Sequence, residues 1–156
     1  MTADELISET REALDRLPDT GGGIALALAT SSTPPAMAML STGDVHWAGD
    51  RLRVGIYASS SVIPRLGGAF TLLVPLRDRA CRIEVVEATA RVAGPIAMLE
   101  GRVGDVRPTA EPPWLVEMRF RPEPAGDPRL QGFVDYWAGV RSWLSGETDE
   151  APQPPG

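Results

Sequence analysis

The spacing of apolar and polar residues changes along the chain, and each change predicts an element. Near the N-terminus, Thr2 and Glu5 have the spacing of a capping box. Apolar residues then recur at helical spacing: Leu6, Ala13, Leu14 and Leu17. The pattern predicts a helix over residues 3–17, ended by Pro18 and the glycine run at 21–23.

Strand periodicity is clearest in residues 51–57, where Leu52, Val54 and Ile56 alternate with polar neighbours. Other stretches with strand character lie at residues 24–29, 36–41, 70–76, 81–92, 96–103 and 114–120. Within the 81–92 stretch the alternation changes phase at Val85 and Val86, which predicts a β-bulge. These patterns predict seven strands.

The remaining segments connect or flank those strands. Residues 42–50 carry two Gly-Asp turn signals, and residues 59–66 read as one short helical turn. Asp127 and Pro128 begin a helix whose apolar face ends near Gly146. Residues 147–156 are acidic and proline-rich, which predicts a disordered tail after a single domain at 1–146.

Closely spaced antiparallel strands expose their edges unless the sheet closes. The order of elements therefore predicts a mainly β, α+β fold: a split β-barrel of six to seven antiparallel strands with flanking N- and C-terminal helices.

Composition excludes several classes of function. The net charge is −6, with no cluster of basic residues, so we expect no nucleic-acid partner. The sequence has one cysteine, Cys81, and one histidine, His46, too few for a typical zinc or non-haem iron site. The N-terminus has no signal-peptide pattern and no apolar run spans a bilayer, so we expect a cytoplasmic protein without membrane contact.

Residues 24–92 resemble the FMN-binding split-barrel proteins related to pyridoxamine 5′-phosphate oxidase. The resemblance lies in the order and spacing of four segments: ALALATSSTPPAMAML, RLRVGIYASSSVIPRL, AFTLLVPL and ACRIEVVEATARV. It implies a homodimer that binds FMN between its subunits and acts on a small-molecule substrate.

The resemblance also implies which residues contact the cofactor. Members hold the flavin phosphate with hydroxyl and basic side chains after the third strand, which here match Ser59, Ser60, Ser61 and Arg65. Arg82 matches a basic position near the cofactor. Hydroxyls with nearby backbone N–H groups and an arginine suit an anion. No side chain is assigned a catalytic role, because flavin hydride transfer does not require one.

Two positions depart from the family pattern. Val62 stands where members usually have a lysine, and residues 35–40 lack the arginine that several members carry on the second strand. Two functions follow: an FMN-binding oxidoreductase-like protein, or a cofactor-free dimeric split-barrel module that binds or regulates. In the second, the serines only cap a turn and the arginines are solvated.

Overall fold

The computed structural model describes residues 2–15, 25–76, 79–109 and 131–155. It contains two helices, seven strands and two short 3-10 helices, Thr42–Asp44 and Ile63–Arg65. The main elements in chain order are α1 Ala3–Asp15, β1 Ala25–Thr30, β2 Met37–Ser41, β3 Val45–Ala48, β4 Arg51–Tyr57, β5 Ala69–Pro75, β6 Ala80–Ala93, β7 Ile96–Thr109 and α2 Gln131–Ser145.

The strands form one antiparallel sheet in the order β2-β1-β5-β6-β7-β4-β3. Its two edge strands, β2 and β3, follow each other in the sequence and are joined by the short helix Thr42–Asp44. Because so short a connection cannot span a flat seven-stranded sheet, the sheet curls until its edges approach. The fold is the predicted mainly β split barrel, and the sheet is not closed.

Two apolar clusters hold the elements together. The larger cluster lies between α1 and the inner face of the sheet, where Leu52, Val54 and Ile56 are buried as their alternation predicts. The smaller cluster packs α2 onto the start of β7 through Ile96 and Met98. The predicted bulge is confirmed, since the pairing of β6 with β7 shifts register at Glu84/Val85 and again between Val86 and Thr89.

The seven strands are not quite the predicted set. Val45–Ala48 was expected to be turn but forms β3, because it pairs with β4 and buries Val45. Gly49, with a positive φ of 59°, makes the tight turn between them. The strand predicted at residues 114–120 lies outside the described residues.

The buried face of α2 differs from the one predicted. Its buried residues follow helical spacing along one side: Tyr136, Val140, Trp143 and Leu144. The pattern of apolar residues alone places Tyr136 and Trp143 off the main face and suggests them for core and dimer packing. Both are buried in the core of one chain, because α2 is buried along a stripe turned by about one position, so they are not the exposed aromatic residues that the pattern suggested for a dimer.

Residues 147–155 return along α2. Ala151 packs against the smaller cluster, and a Cβ on Gly139 would lie 3.0 Å from Cβ of Pro152. The division into a domain at 1–146 and a dispensable, disordered tail stays a prediction, which truncation tests.

Candidate functional site

A cleft of about 240 Å³ opens where the sheet fails to close. One wall is β2, the opposite wall is the end of β4, and α2 lies across them. Its lining residues are Ala38, Met39, Leu40, Ser41, Asp44, Gly55, Ile56, Tyr57, Ser60, Phe133, Tyr136 and Trp137. The volume is below the roughly 300–1,000 Å³ of sites that engulf a whole drug-sized ligand. The cleft therefore suits one ring system with the rest of a ligand outside.

The wall formed by α2 is aromatic. The rings of Phe133 and Trp137 lie 5.9 Å apart between centroids and are tilted by 38°. Tyr136 is buried beside them, and burial raises the pKa of its hydroxyl, which stays protonated near neutral pH. Tyr57, 47% exposed, stands at the opposite wall. Such surfaces offer π contacts to a flat ring.

Close approach of α2 to the short helix Thr42–Asp44 requires glycine at residue 43. A Cβ there would lie 2.6 Å from Cβ of Trp137, closer than side-chain atoms approach in proteins. Behind this contact the Arg141 guanidinium donates to the backbone oxygens of Leu14 and Thr42, at 2.7 and 2.6 Å. Residue 141 thereby ties α1, α2 and the short helix together.

Asp44 forms the floor of the cleft. Its Oδ2 accepts hydrogen bonds from the backbone N–H of Ser41 at 2.9 Å and from the Ser41 hydroxyl at 3.1 Å. Ser41 Oγ in turn accepts from the N–H of Gly43, which completes a capping box. Burial raises the pKa of Asp44 to about 6, against the lowering effect of the Ser41 bonds and Arg141. A titrating carboxyl group in a cleft marks a candidate site.

The outer edge of β2 adds backbone groups to the cleft. Thr30 donates its N–H to the oxygen of Ala36, so the hydrogen-bonded pairs with β1 continue through residues 38 and 40. The N–H and C=O of Met39 therefore point away from β1. Among the described residues β2 pairs with β1 alone, so this edge can bind a ligand.

Ser60 is the one predicted cofactor residue that lines the cleft. Its Oγ accepts a bond from the N–H of Val62 at 3.2 Å. Ser59 and Ser61 are exposed and lie outside the lining, as does Arg65, which donates to the backbone oxygen of Pro34 at 2.7 Å. That bond holds the segment 59–65 beside the start of β2, near the cleft.

Some backbone N–H groups of the predicted anion site are already used within the turn. The N–H of Val62 is bonded to Ser60, those of Ile63 and Arg65 donate to the oxygens of Ser60 and Val62, and the helix is a single 3-10 turn. The role of these residues in binding an anion therefore stays a prediction that rests mainly on their side chains. The side chain of Val62, at the family's lysine position, is fully buried.

Arg82 lies elsewhere. It is exposed on β6, forms an ion pair with Glu84, and is not part of the cleft lining. In the register of the sheet it stands opposite Leu73 on β5 and Arg107 on β7. The structure thus brings Ser60 into the cleft and Arg65 near it, and leaves Arg82 apart.

The floor was missed in the sequence although part of its signal was readable. Ser41 and Asp44 have the spacing of a capping box. The same pattern at Thr2 and Glu5 predicted the start of the N-terminal helix, but it was not applied to residues 41–44. The aromatic wall comes from a helix about 90 residues further along the chain, which no local pattern connects to β2.

A second groove, of about 490 Å³, lies between β4, β6 and the end of α2. Arg53 in this groove is half-buried and already bonded to Glu100 and to the backbone oxygen of Leu144. Arg91, Glu100 and Asp149 add charges of both signs. The groove therefore offers a ligand no single charge preference.

The part of the chain that the structure describes contains neither a candidate metal site nor a helix that could cross a bilayer. No three His, Cys, Asp or Glu side chains there are grouped so as to hold a metal ion. Cys81 is buried, and His46 is half-buried on β3 with a pKa lowered mainly by burial. None of the described helices has the length and hydropathy to cross a bilayer.

The chain is similar in structure to several solved proteins. No protein-family model and no curated protein matches the chain. BorF, the flavin reductase component of a bacterial two-component tryptophan halogenase, matches 59% of this chain and 84% of its own at 11% identity and a TM-score of 0.48. The flavin reductase SMOB of styrene monooxygenase from Pseudomonas putida S12 matches 60% and 82%, at 11% identity and a TM-score of 0.44.

The NADH:FAD oxidoreductase SgcE6 of Streptomyces globisporus C-1027 matches 76% of this chain and 89% of its own, at 9% identity and a TM-score of 0.46. These structural neighbours are flavin enzymes. At identities this low and TM-scores under 0.5, their activities do not carry over to this chain, whose function has to be argued from its own cleft.

Proposed function

We propose that the protein binds a flavin, with the isoalloxazine ring in the cleft between β2, β4 and α2, and acts as an oxidoreductase of the split-barrel type. The observation that carries the proposal is one cleft that combines an aromatic wall with an edge of β2 that pairs with no other described strand. A flat ring with polar atoms along its rim matches both surfaces.

The residues present fit the ring better than they fit the phosphate. Phe133, Tyr136 and Trp137 would contact the ring, and Met39 would hydrogen-bond its rim through the backbone. Among the described residues the cleft lining holds a carboxylate and no basic side chain, so a phosphate would stay outside, toward Ser60 and Arg65. We therefore propose FMN, with its phosphate bound by these two side chains.

Each part of the chain then has a distinct task. The bound flavin would supply hydride or electron transfer. The aromatic wall excludes water from one side of the ring, the floor at Asp44 fixes how deeply it enters, and the segment 59–65 limits its escape. No described side chain has to move a proton for this function.

The proposal is tested by titrating the wild-type protein with FMN, riboflavin and lumiflavin, followed by flavin fluorescence. We expect all three to bind, FMN most tightly, and flavin fluorescence to be quenched by Trp137 and Tyr136. Failure of all three flavins to bind at millimolar concentration would overturn the flavin function.

A cofactor-free binding module is the second candidate, favoured by two observations. The position of the family's lysine is a buried valine, Val62, and Asp44, an anion above its pKa, is the only charged residue among the described residues that line the cleft. These features weaken the recognition of a flavin phosphate. Colourless purified protein that ignores all added flavins would support this candidate.

We also propose a homodimer, on a surface that differs from α2. The outer face of β2, β1 and β5 exposes Met37 and Met39 at 64% and 62%, with Leu73 beside them. Next to this face on β6 stand Arg82 and Glu84, of opposite charge. A two-fold axis would bring each charge near its opposite in a second copy of the chain.

The dimer is tested by light scattering at micromolar concentration. Met37→Glu should give a monomer with an unchanged melting temperature, because its side chain is exposed in one subunit. Val92→Glu, at an equally exposed position on β6, is the matched control and should remain dimeric. A wild-type monomer would contradict the dimer.

A further inference from the structure

One carboxylate oxygen of Asp44 has no partner at the floor of the cleft. The two hydrogen bonds from Ser41 both go to Oδ2, and Oδ1 accepts none from the described residues. The side chain is 9% exposed and belongs to the cleft lining. Oδ1 is not among the fully buried, unpaired side-chain atoms of the described residues, so it is accessible from the cleft, where a ligand can supply a donor.

A backbone donor lies on the neighbouring wall. Ser41 and Met39 are two residues apart on β2, so their N–H groups point to the same side of the strand, away from β1. The N–H of Ser41 is already bonded to Asp44, and that of Met39 is the next along the edge. The residues that line the cleft thus include an acceptor, Oδ1 of Asp44, and a donor, the N–H of Met39.

We propose that Asp44 determines which edge of the flavin enters the cleft, by accepting a hydrogen bond from the N3–H of the pyrimidine ring while the edge of β2 donates to an adjacent ring carbonyl. This inference rests on the proposed flavin function. The imide edge is the part of the ring system that carries a donor between two acceptors, whereas the dimethylbenzene edge has neither. Asp44 is therefore a specificity-determining residue and not a catalytic one.

A lone positive charge fits the cleft less well. A protonated amine would satisfy Oδ1 but would leave the Met39 N–H facing it as a second donor without an acceptor. An imide satisfies both groups at once, and its flat ring lies against the aromatic wall. The backbone N–H of Met39 and the carboxylate of Asp44 together favour an imide as the ligand.

The decisive experiment compares lumiflavin with 3-methyllumiflavin, in which a methyl group replaces the N3 hydrogen. Both lack the phosphate, so Ser60 and Arg65 do not affect the comparison. For the wild type we expect the methyl group to weaken binding by about tenfold to a hundredfold, the worth of a hydrogen bond to a charged acceptor.

Asp44→Asn separates this hydrogen bond from a steric effect of the methyl group. The amide oxygen of the substituted side chain can still accept from Ser41, and its NH₂ then faces the cleft as a donor. We expect lumiflavin to bind this variant more weakly, and the methyl penalty to shrink to about threefold or less. An equal penalty in both proteins, or no penalty in the wild type, would overturn the inference.

A measurement on the wild type alone covers the case in which the variant fails to fold. With ¹⁵N-labelled lumiflavin bound at pH 7.5, the N3–H proton should be visible, shifted downfield and protected from exchange with water. A rapidly exchanging N3–H contradicts the assignment. If lumiflavin binds but its N3–H exchanges rapidly, the inference on Asp44 is wrong while the proposed flavin function stands. If no flavin binds, the proposed function is wrong, and the inference that rests on it is wrong too.

Discussion

The floor of the cleft and the segment 59–65 beside its opening, called the mouth below, differ in burial and in how far apart their residues lie in the sequence. The floor, formed by Ser41, Gly43 and Asp44 against Trp137, is buried and assembled from distant parts of the chain. The segment 59–65 is a contiguous run in which Ser59, Ser61 and Arg65 are exposed, and most of its backbone N–H groups are bonded within the turn or to Tyr57. A substitution at the floor should therefore affect folding as well as binding, and one at the mouth only binding.

The comparison also separates two kinds of recognition. At the floor, a carboxylate in a low-dielectric site interacts strongly with any donor. At the mouth, Arg65 is exposed and its interaction with an anion is screened by water and salt. The floor thus selects the ring, and the mouth adds a smaller contribution from the phosphate.

The largest expected effect is on the pH dependence of stability in Asp44→Asn. Asp44 has a pKa of about 6 in the folded protein against 3.8 as an ordinary carboxyl. Because the folded value is raised, the wild type is stabilised below pH 3.8 and loses that stability as the pH rises through 6. The loss amounts to about 3 kcal/mol, at about 1.36 kcal/mol for each pKa unit.

This loss is measured by urea unfolding of both proteins from pH 4 to pH 7.5. The difference in unfolding free energy between wild type and Asp44→Asn should change by about that amount in favour of the variant. Glu12→Gln, an exposed change on α1, is the control and should follow the wild type at every pH. Parallel curves for Asp44→Asn would show that the floor is not desolvated.

A second floor variant is Gly43→Ala. The added Cβ would lie 2.6 Å from Cβ and 2.8 Å from Cγ of Trp137, so α2 has to shift. We expect a loss of about 1–3 kcal/mol in unfolding free energy and weaker binding of every flavin. Gly104→Ala on β7 meets its nearest side chain at 3.4 Å and should change stability little. Equal effects would mean that the close approach of α2 is unimportant.

The features that could be predicted from the sequence are local ones, and those that were missed are assembled from distant residues. Local patterns predicted the fold class, the bulge near Val85 and the short helical turn after β4, because each depends on neighbouring residues. The short strand β3 was missed because its pairing with β4 outweighs the turn signals around it. The floor was missed because Asp44, Tyr136 and Trp137 meet only after α2 packs across the open sheet.

At the mouth, Arg65→Ala tests the phosphate contact alone. FMN should bind about tenfold more weakly, at the low end for a charge-assisted bond because Arg65 is exposed. Riboflavin, which lacks the phosphate, should be unaffected. Ser60→Ala should act in the same direction but less, and Arg82→Ala should have no effect. A similar loss for riboflavin would show that the change at residue 65 disturbs the cleft itself.

The smallest expected effect is that of truncation after Gly146. The segment contacts α2 through hydrogen bonds at its start, between Glu147 and Ser142, and through half-buried, small side chains such as Ala151. Removing residues 147–156 should lower the unfolding free energy by less than about 1 kcal/mol and leave flavin binding unchanged, since the segment lies outside the cleft lining. A drop of many degrees in melting temperature would make the segment part of the folded domain.

The central claim is that the cleft beside β2 is the flavin site, and filling it tests that claim most directly. Ala38 is half-buried in the cleft lining, whereas Ala90 is exposed on β6 away from it. FMN should bind Ala90→Phe as it binds the wild type, and should bind Ala38→Phe at least a hundredfold more weakly although that variant still unfolds cooperatively. Unchanged FMN affinity in a folded Ala38→Phe protein would contradict the account.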